Sequence, residues 1–162
     1  MSVNRERPHL FVLPEDARDR QLAVEFWAQI DPDKQRQMFV LDEVGGWIRI
    51  LDIFESDYVK GMDSNTKRYM VLLFDFDGQD RVNTAKARIP VHLADRVFVL
   101  GAWTDPEHLK PDLGPYEKIG FDLAADCREG TDNTWGHRLL RHNAGEIERL
   151  RERVRPILFS TS

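Results

Sequence analysis

The run YMVLLFDFDGQD, Tyr69 to Asp80, limits the fold more than any other part of the chain. Its first part is continuously apolar. Such a run, bounded by turn residues, marks a strand covered on both faces, as in a parallel sheet. It ends in two carboxylates one residue apart, followed by glycine. Residues two apart on a strand point to the same face, so Asp75 and Asp77 are expected to aim at one place. Two carboxylates side by side repel unless a proton or a metal ion sits between them. The plainer alternative is an acidic strand end that faces a loop.

The flanking segments supply the rest of such a sheet. HLFVLPED reads as a first strand ending at Pro14. DRQLAVEFWAQI follows as a helix, with Leu22, Phe26 and Ile30 on one stripe, Ala23 and Trp27 beside it, and Asp19 placed to cap it. Asp31-Pro32-Asp33 ends that helix. MFVLDEV, from Met38, reads as a second strand, and Gly45-Gly46 turns into WIRILDIFESDYV, where Trp47, Ile50, Leu51 and Phe54 keep helical spacing. After the third strand, DRVNTAKAR forms a short helix that stops before Pro90, and Arg96 to Leu100 makes a fourth strand.

Residues 104–133 carry three prolines and several glycines and read mainly as loop with one helix. Asn143-Ala144-Gly145-Glu146 has the pattern of a capping box, opening a charged last helix that packs through Ile147, Leu150 and Val154. Alternating strands and helices predict an α/β fold: a compact, mainly parallel four-stranded sheet flanked by helices, with a C-terminal helical extension. The expected division is a core over residues 1–110, with residues 111–162 as a loop-rich segment and helix packed on the same domain.

Composition sets outer bounds. The 162 residues suit one domain, and no apolar run approaches the roughly 20 residues that span a bilayer. The opening MSVNRERPHL lacks the apolar centre of a signal peptide, and the single cysteine, Cys127, allows no internal disulfide; a cytoplasmic protein is expected. Cys127 has no flanking signature of a nucleophile. The net charge of −5 argues against a protein that coats nucleic acid passively. Seven arginines and two histidines against five acids between Arg128 and Arg155 place any basic surface there, unless that segment is a solvated helix laced with ion pairs.

Ligand sites of parallel sheets form beyond the C-terminal strand ends. Acids follow every expected strand: Glu15 and Asp16, Asp42 and Glu43, Asp75 and Asp77, Asp105 and Glu107. With Glu15 in FVLPED and Asp75-Phe76-Asp77 after the third strand, the chain resembles the Toprim domain of topoisomerases, primases and small nucleases. It is nearest to the overcoming-lysogenization-defect nucleases, to which Asp19, four residues after Glu15, and the Gly45-Gly46 turn are also similar. Asp16 stands where such families often have glycine.

The resemblance spans about residues 8–110 and implies metal-dependent phosphodiester hydrolysis of DNA or RNA. Asp75 and Asp77 would hold Mg²⁺ or Mn²⁺, and Glu15 would ligate it or take a proton from the attacking water. Asp19 would help build a second metal site, with Glu107 and Lys110 as the later acidic and lysine positions. It further implies an ATPase or other protein partner, or a homo-oligomer, for substrate capture.

Two other readings stay open. FDFDG is also similar to the nucleophile motif of haloacid-dehalogenase phosphatases, in which Asp75 would attack phosphate and Asp77 act as acid and base, although Gln79 replaces the usual Thr or Val. Alternatively the chain is a non-catalytic interaction module. Trp135, His137, Arg138, Arg141 and His142 in NTWGHRLLRHN would then grip phosphate or a protein partner, and on the nuclease reading Arg138, Arg141 and His142 contact nucleic acid. The same segment suits plain packing through Trp135, Leu139 and Leu140. The histidines lack zinc-ligand spacing, and His9, His92 and His108 read as structural or surface groups.

Overall fold

The computed structural model describes residues 3–160. Four strands, β1 (His9–Pro14), β2 (Met38–Val40), β3 (Arg68–Leu73) and β4 (Val97–Leu100), form one sheet in the order β2-β1-β3-β4. All pairs are parallel, with Val12 opposite Val40 and Val71, and Val71 opposite Phe98. Alternate side chains go to opposite faces. Leu10, Val12, Val71, Phe98 and Leu100 pack on one side, and Phe11, Leu13, Met70, Leu72, Val97 and Val99 on the other. Because both faces are covered, the strands carry no polar alternation.

The second face is covered by α2 (Trp47–Ile53), a π-helical turn, α3 (Val59–Ser64) and α4 (Gln79–Arg88), through residues such as Ile50, Phe54, Met62 and Ala85. This helical run is longer than WIRILDIFESDYV suggests, since the π turn at Phe54–Tyr58 carries it on to Ser64. The first face is covered by α1 (Ala17–Trp27), α6 (Tyr116–Glu129) and α7 (Ala144–Leu158), through Ala23, Ala124, Cys127, Ile147, Leu150 and Val154. Residues 111–160 thus complete the same hydrophobic core as residues 3–110. Cys127 is buried there, which pushes its thiol up to about 11, as suits a structural cysteine. No helix among the described residues is long and apolar enough to cross a membrane.

The stretch read mainly as loop is largely helical. It contains α5 (Lys110–Leu113) and the fourteen-residue α6. Its prolines mislead because each sits at a helix start, where a missing N–H is harmless: Pro106 and Pro111 in first turns, Pro115 at the N-cap. Helix α6 crosses α1 closely at Gly120, where a Cβ would come 2.8 Å from the Glu25 carbonyl carbon and 2.9 Å from the Phe26 nitrogen.

The expected capping box at Asn143 and Glu146 does not form. Asn143 makes no capping bond to the helix amides; its Oδ1 accepts from the Gly101 N–H at 3.3 Å and its Nδ2 donates to the Gly101 carbonyl at 2.9 Å. Glu146 Oε2 accepts from the Val99 N–H at 2.9 Å. Both side chains are committed to the outer side of β4, which outbids a local cap. Nor does Asp19 cap α1; Asp16 does, accepting from the Arg18 and Asp19 amides at 3.0 and 2.9 Å.

One buried acid orders the bend between α6 and α7. Asp126 accepts from Thr131 Oγ1 (2.6 Å) and from the amides of Asn133 (3.2 Å), Thr134 (2.7 Å) and Trp135 (3.1 Å). Removing a carboxylate that satisfies several buried donors leaves each of them orphaned. Asp126→Ala is therefore expected to destabilise by about 3 kcal/mol or more in urea titration. Asp126→Asn, which keeps an acceptor oxygen, should lose less. Equal stability of the alanine variant and the parent would refute this role.

The isolated histidines are structural or surface groups. The buried His9 donates from Nδ1 to the Arg7 carbonyl (2.8 Å) and accepts from Arg68 Nε at 3.1 Å. Burial and the nearby arginine hold it below the usual imidazole range. His92 pairs with Asp63, and His108 with the Thr104 hydroxyl.

Candidate metal centre

Strands β1 and β3 are neighbours in the middle of the sheet, so whatever follows them is brought together at its C-terminal edge. Glu15 directly follows β1, where its N–H donates to the Leu73 carbonyl at 2.8 Å. Its Oε1 accepts from the Asp75 N–H at 3.0 Å, which ties the two strand ends together. The Trp47 N–H at the start of α2 also donates to the Glu15 carboxylate. Asp16 sits at the N-cap of α1. Asp19 follows one helical spacing later on the face of α1 that turns inward, and is only 1% exposed. Asp75, two residues past β3, is half-buried beside them.

Glu15, Asp16, Asp19 and Asp75 each place a carboxylate oxygen within 4.8 Å of the others. Asp19 Oδ2 and Asp75 Oδ1 are buried and have no hydrogen-bond partner among the described residues. Burial first, and then the charges of its acidic neighbours, pushes Asp19 up to about 10. The same causes push Asp75 up to about 7. Glu15 is raised chiefly by burial, against the opposing pull of the Asp75 amide. Four carboxylates cannot all ionise here without a compensating positive charge.

The cations at the rim compensate little. Arg18 bonds Asp105 at 2.8 Å and reaches Asp16 at 3.7 Å. Arg81 donates to the Asp75 carbonyl at 3.2 Å and lies over the Trp47 ring. The donor set is all oxygen, and opposite ligands of a Mg²⁺ octahedron lie about 4 Å apart. The residues therefore fit a small hard cation. Softer metals that favour thiolate or imidazole find no such ligand in the quartet.

Asp77, expected beside Asp75, stands apart. Its backbone is left-handed (φ 52°), its side chain is 63% exposed, and it pairs with Arg81 at 3.4 Å. The alternation of side chains holds only while the chain remains a strand, and β3 ends at Leu73. Glu107 and Lys110 bond one another at 3.1 Å, outside the quartet, with the lysine over the Tyr116 ring. Asp42 and Glu43 both face Arg20 at 3.8 Å.

Asp16 joins the quartet although its sequence position marks it only as an acid after β1. Its available signal was an acid at the N-cap of a helix whose next inward-facing residue is also acidic. His142, expected to contact nucleic acid, donates from Nε2 to the Gly101 carbonyl at 2.7 Å, and burial lowers its proton affinity. Leu139 and Leu140 are buried and Trp135 is partly so, which supports the packing role of that segment. Arg138 and Arg141 are exposed.

Comparison with family models, with curated proteins and with solved structures gives no match to this chain.

Proposed function

We propose that this protein is a divalent-cation-dependent nuclease of Toprim-like type. The observation that supports it is the convergence of Glu15, Asp16, Asp19 and Asp75 at the C-terminal ends of two central parallel strands, with buried oxygens on Asp19 and Asp75 that nothing among the described residues satisfies. Mg²⁺ or Mn²⁺ bound there supplies positive charge at a phosphodiester and acidifies a coordinated water. Asp75 and Asp19 are the principal ligand candidates. The N-cap bonds of Asp16 fix its orientation at the rim.

Glu15, held by two backbone amides and raised in proton affinity by burial, is suited to accept a proton from the attacking water. Arg18 and Arg81, each already beside an acid of the site, can exchange those partners for phosphate oxygens. DNA or RNA is the proposed substrate. An ATPase partner or self-association would add the capture surface that a chain of net charge −5 lacks.

The dehalogenase-like reading needs a second acid beside the nucleophile Asp75, and the outward position of Asp77 favours hydrolysis by the quartet instead. The test is cleavage of supercoiled plasmid and labelled RNA with Mg²⁺ or Mn²⁺, with a generic phosphatase substrate in parallel. Glu15→Gln and Asp75→Asn should each lower nucleic-acid cleavage about 100-fold or more, while Asp77→Asn should cost less than about tenfold. Phosphatase activity abolished by Asp75→Asn and Asp77→Asn but indifferent to Glu15→Gln would select the dehalogenase-like chemistry. No metal-dependent cleavage, together with no effect of cation on stability, would leave the chain as a binding module.

A further inference from the structure

A second feature adjoins the acidic quartet. The segment after β4 runs beside the segment after β3, so that Asp77 N–H donates to the Trp103 carbonyl at 2.8 Å. Trp103, Arg138, Leu139, Arg141 and His142 line an open cleft of about 460 Å³. The His142 ring is pinned by its bond to Gly101 and stands edge-on to Phe76 at 4.9 Å and to Trp103 at 5.1 Å. It thereby props the indole in place. Among the described residues neither Arg138 nor Arg141 has a side-chain hydrogen bond or ion pair.

The cleft is also tied to the acids through the chain. Two residues beyond Trp103, Asp105 bonds Arg18 at 2.8 Å, and Arg18 in turn reaches Asp16. More directly, the Phe76 N–H donates to the Ala102 carbonyl at 3.0 Å, so Asp75 and Trp103 flank one backbone hydrogen bond and the cleft adjoins the Asp75 side of the quartet.

We propose that the cleft between Trp103, Arg138 and Arg141 holds an unpaired nucleotide of a single-stranded nucleic acid and leads the next phosphodiester toward the acidic site. This rests on the nuclease reading and narrows its substrate to single strands or unpaired ends. An indole beside two unpartnered guanidinium groups matches a base face with its flanking phosphates. In a duplex the base faces are closed off by stacking, so only an unpaired base offers one to Trp103. The two arginines give local positive charge on a chain that is acidic as a whole.

The test is fluorescence anisotropy of a labelled twelve-nucleotide DNA and RNA single strand, and of the matching duplexes, in EDTA. The quartet then takes no part through a metal, and binding is read separately from cleavage. Trp103→Leu is expected to weaken single-strand binding about tenfold, and Trp103→Phe to recover most of that loss. The Arg138→Ala/Arg141→Ala pair, at exposed positions, should weaken binding by about tenfold or more. It should also lower the slope of log K against log salt by about 1.4.

Duplexes should bind more weakly and ignore Trp103→Leu. Equal affinity for duplex and single strand, or single-strand binding that the arginine pair leaves unchanged, overturns the proposal. So does an absence of oligonucleotide binding combined with arginine-dependent binding of an acidic peptide. Loss of cleavage with this binding intact would instead fall on the nuclease reading alone.

Discussion

Asp19→Asn is expected to raise the stability of the metal-free protein at pH 8 while removing most of the stabilisation that Mg²⁺ or Mn²⁺ confers. Asp19 is 1% exposed and surrounded by three other acids, and its folded-state value near 10 lies far above the ordinary 3.8. Between those limits the folded chain holds a proton that the unfolded chain releases. Stability without metal therefore falls as pH rises through that window. Asp75, raised to about 7, acts in the same direction from about pH 4 to pH 7. An asparagine has nothing to ionise, so the variant should gain about 2 kcal/mol or more at pH 8, or roughly 4–8 °C in melting temperature.

His9 acts oppositely. Its depressed proton affinity contributes stability above about pH 6.5 that is lost as pH falls. The metal-free protein should thus be most stable at mildly acid pH, and a bound cation should flatten the alkaline limb. Melting curves from pH 5 to 9, with EDTA or with Mg²⁺, read all of this directly. A parent protein indifferent to pH and cation, with an asparagine variant that is less stable, would remove the basis for a metal centre.

The second large effect is at Gly101. A Cβ there would lie 1.7 Å from the Phe74 carbonyl oxygen and 2.8 Å from its carbon, both backbone atoms of the residue that directly follows β3. Neither can move without displacing the chain that carries Asp75. Gly101→Ala is expected to lose about 3 kcal/mol or more in denaturant titration, and with it metal-dependent cleavage. Gly145, in α7, has nothing within 4 Å of its Cβ position. Gly145→Ala should therefore be neutral or gain up to about 1 kcal/mol from helix propensity. Similar losses in the two variants would mean that the tight approach at Gly101 does not matter.

The sheet was legible because both of its faces are covered: LFVL, MVLL and VFVL are apolar throughout, and only parallel strands wrapped on both sides need to be. Glu15 and Asp75 were legible because each immediately follows such a run. Asp77 was not, because its place depends on a left-handed backbone angle after the strand has ended. The residue that takes its place in the cluster, Asp16, is held there by an N-cap geometry that spacing alone does not reveal. Helix α6 was obscured by prolines that start helices as readily as they end them. Asn143 and Glu146 have the residue types of a capping box. Which amides they meet depends on where α7 lands against β4, a tertiary outcome.

The attachment of α7 to β4 makes the two sides of the sheet unequal. A strand arriving from another molecule would find the Val99 and Gly101 amides already occupied, since Glu146 and Asn143 accept from them. Strand addition, whether in orderly assembly or in aggregation, is thereby closed at that border. The opposite border is β2, three residues long, where Phe39 is 38% exposed. A pair of chains joined through their sheets is therefore expected to meet at β2 rather than at β4.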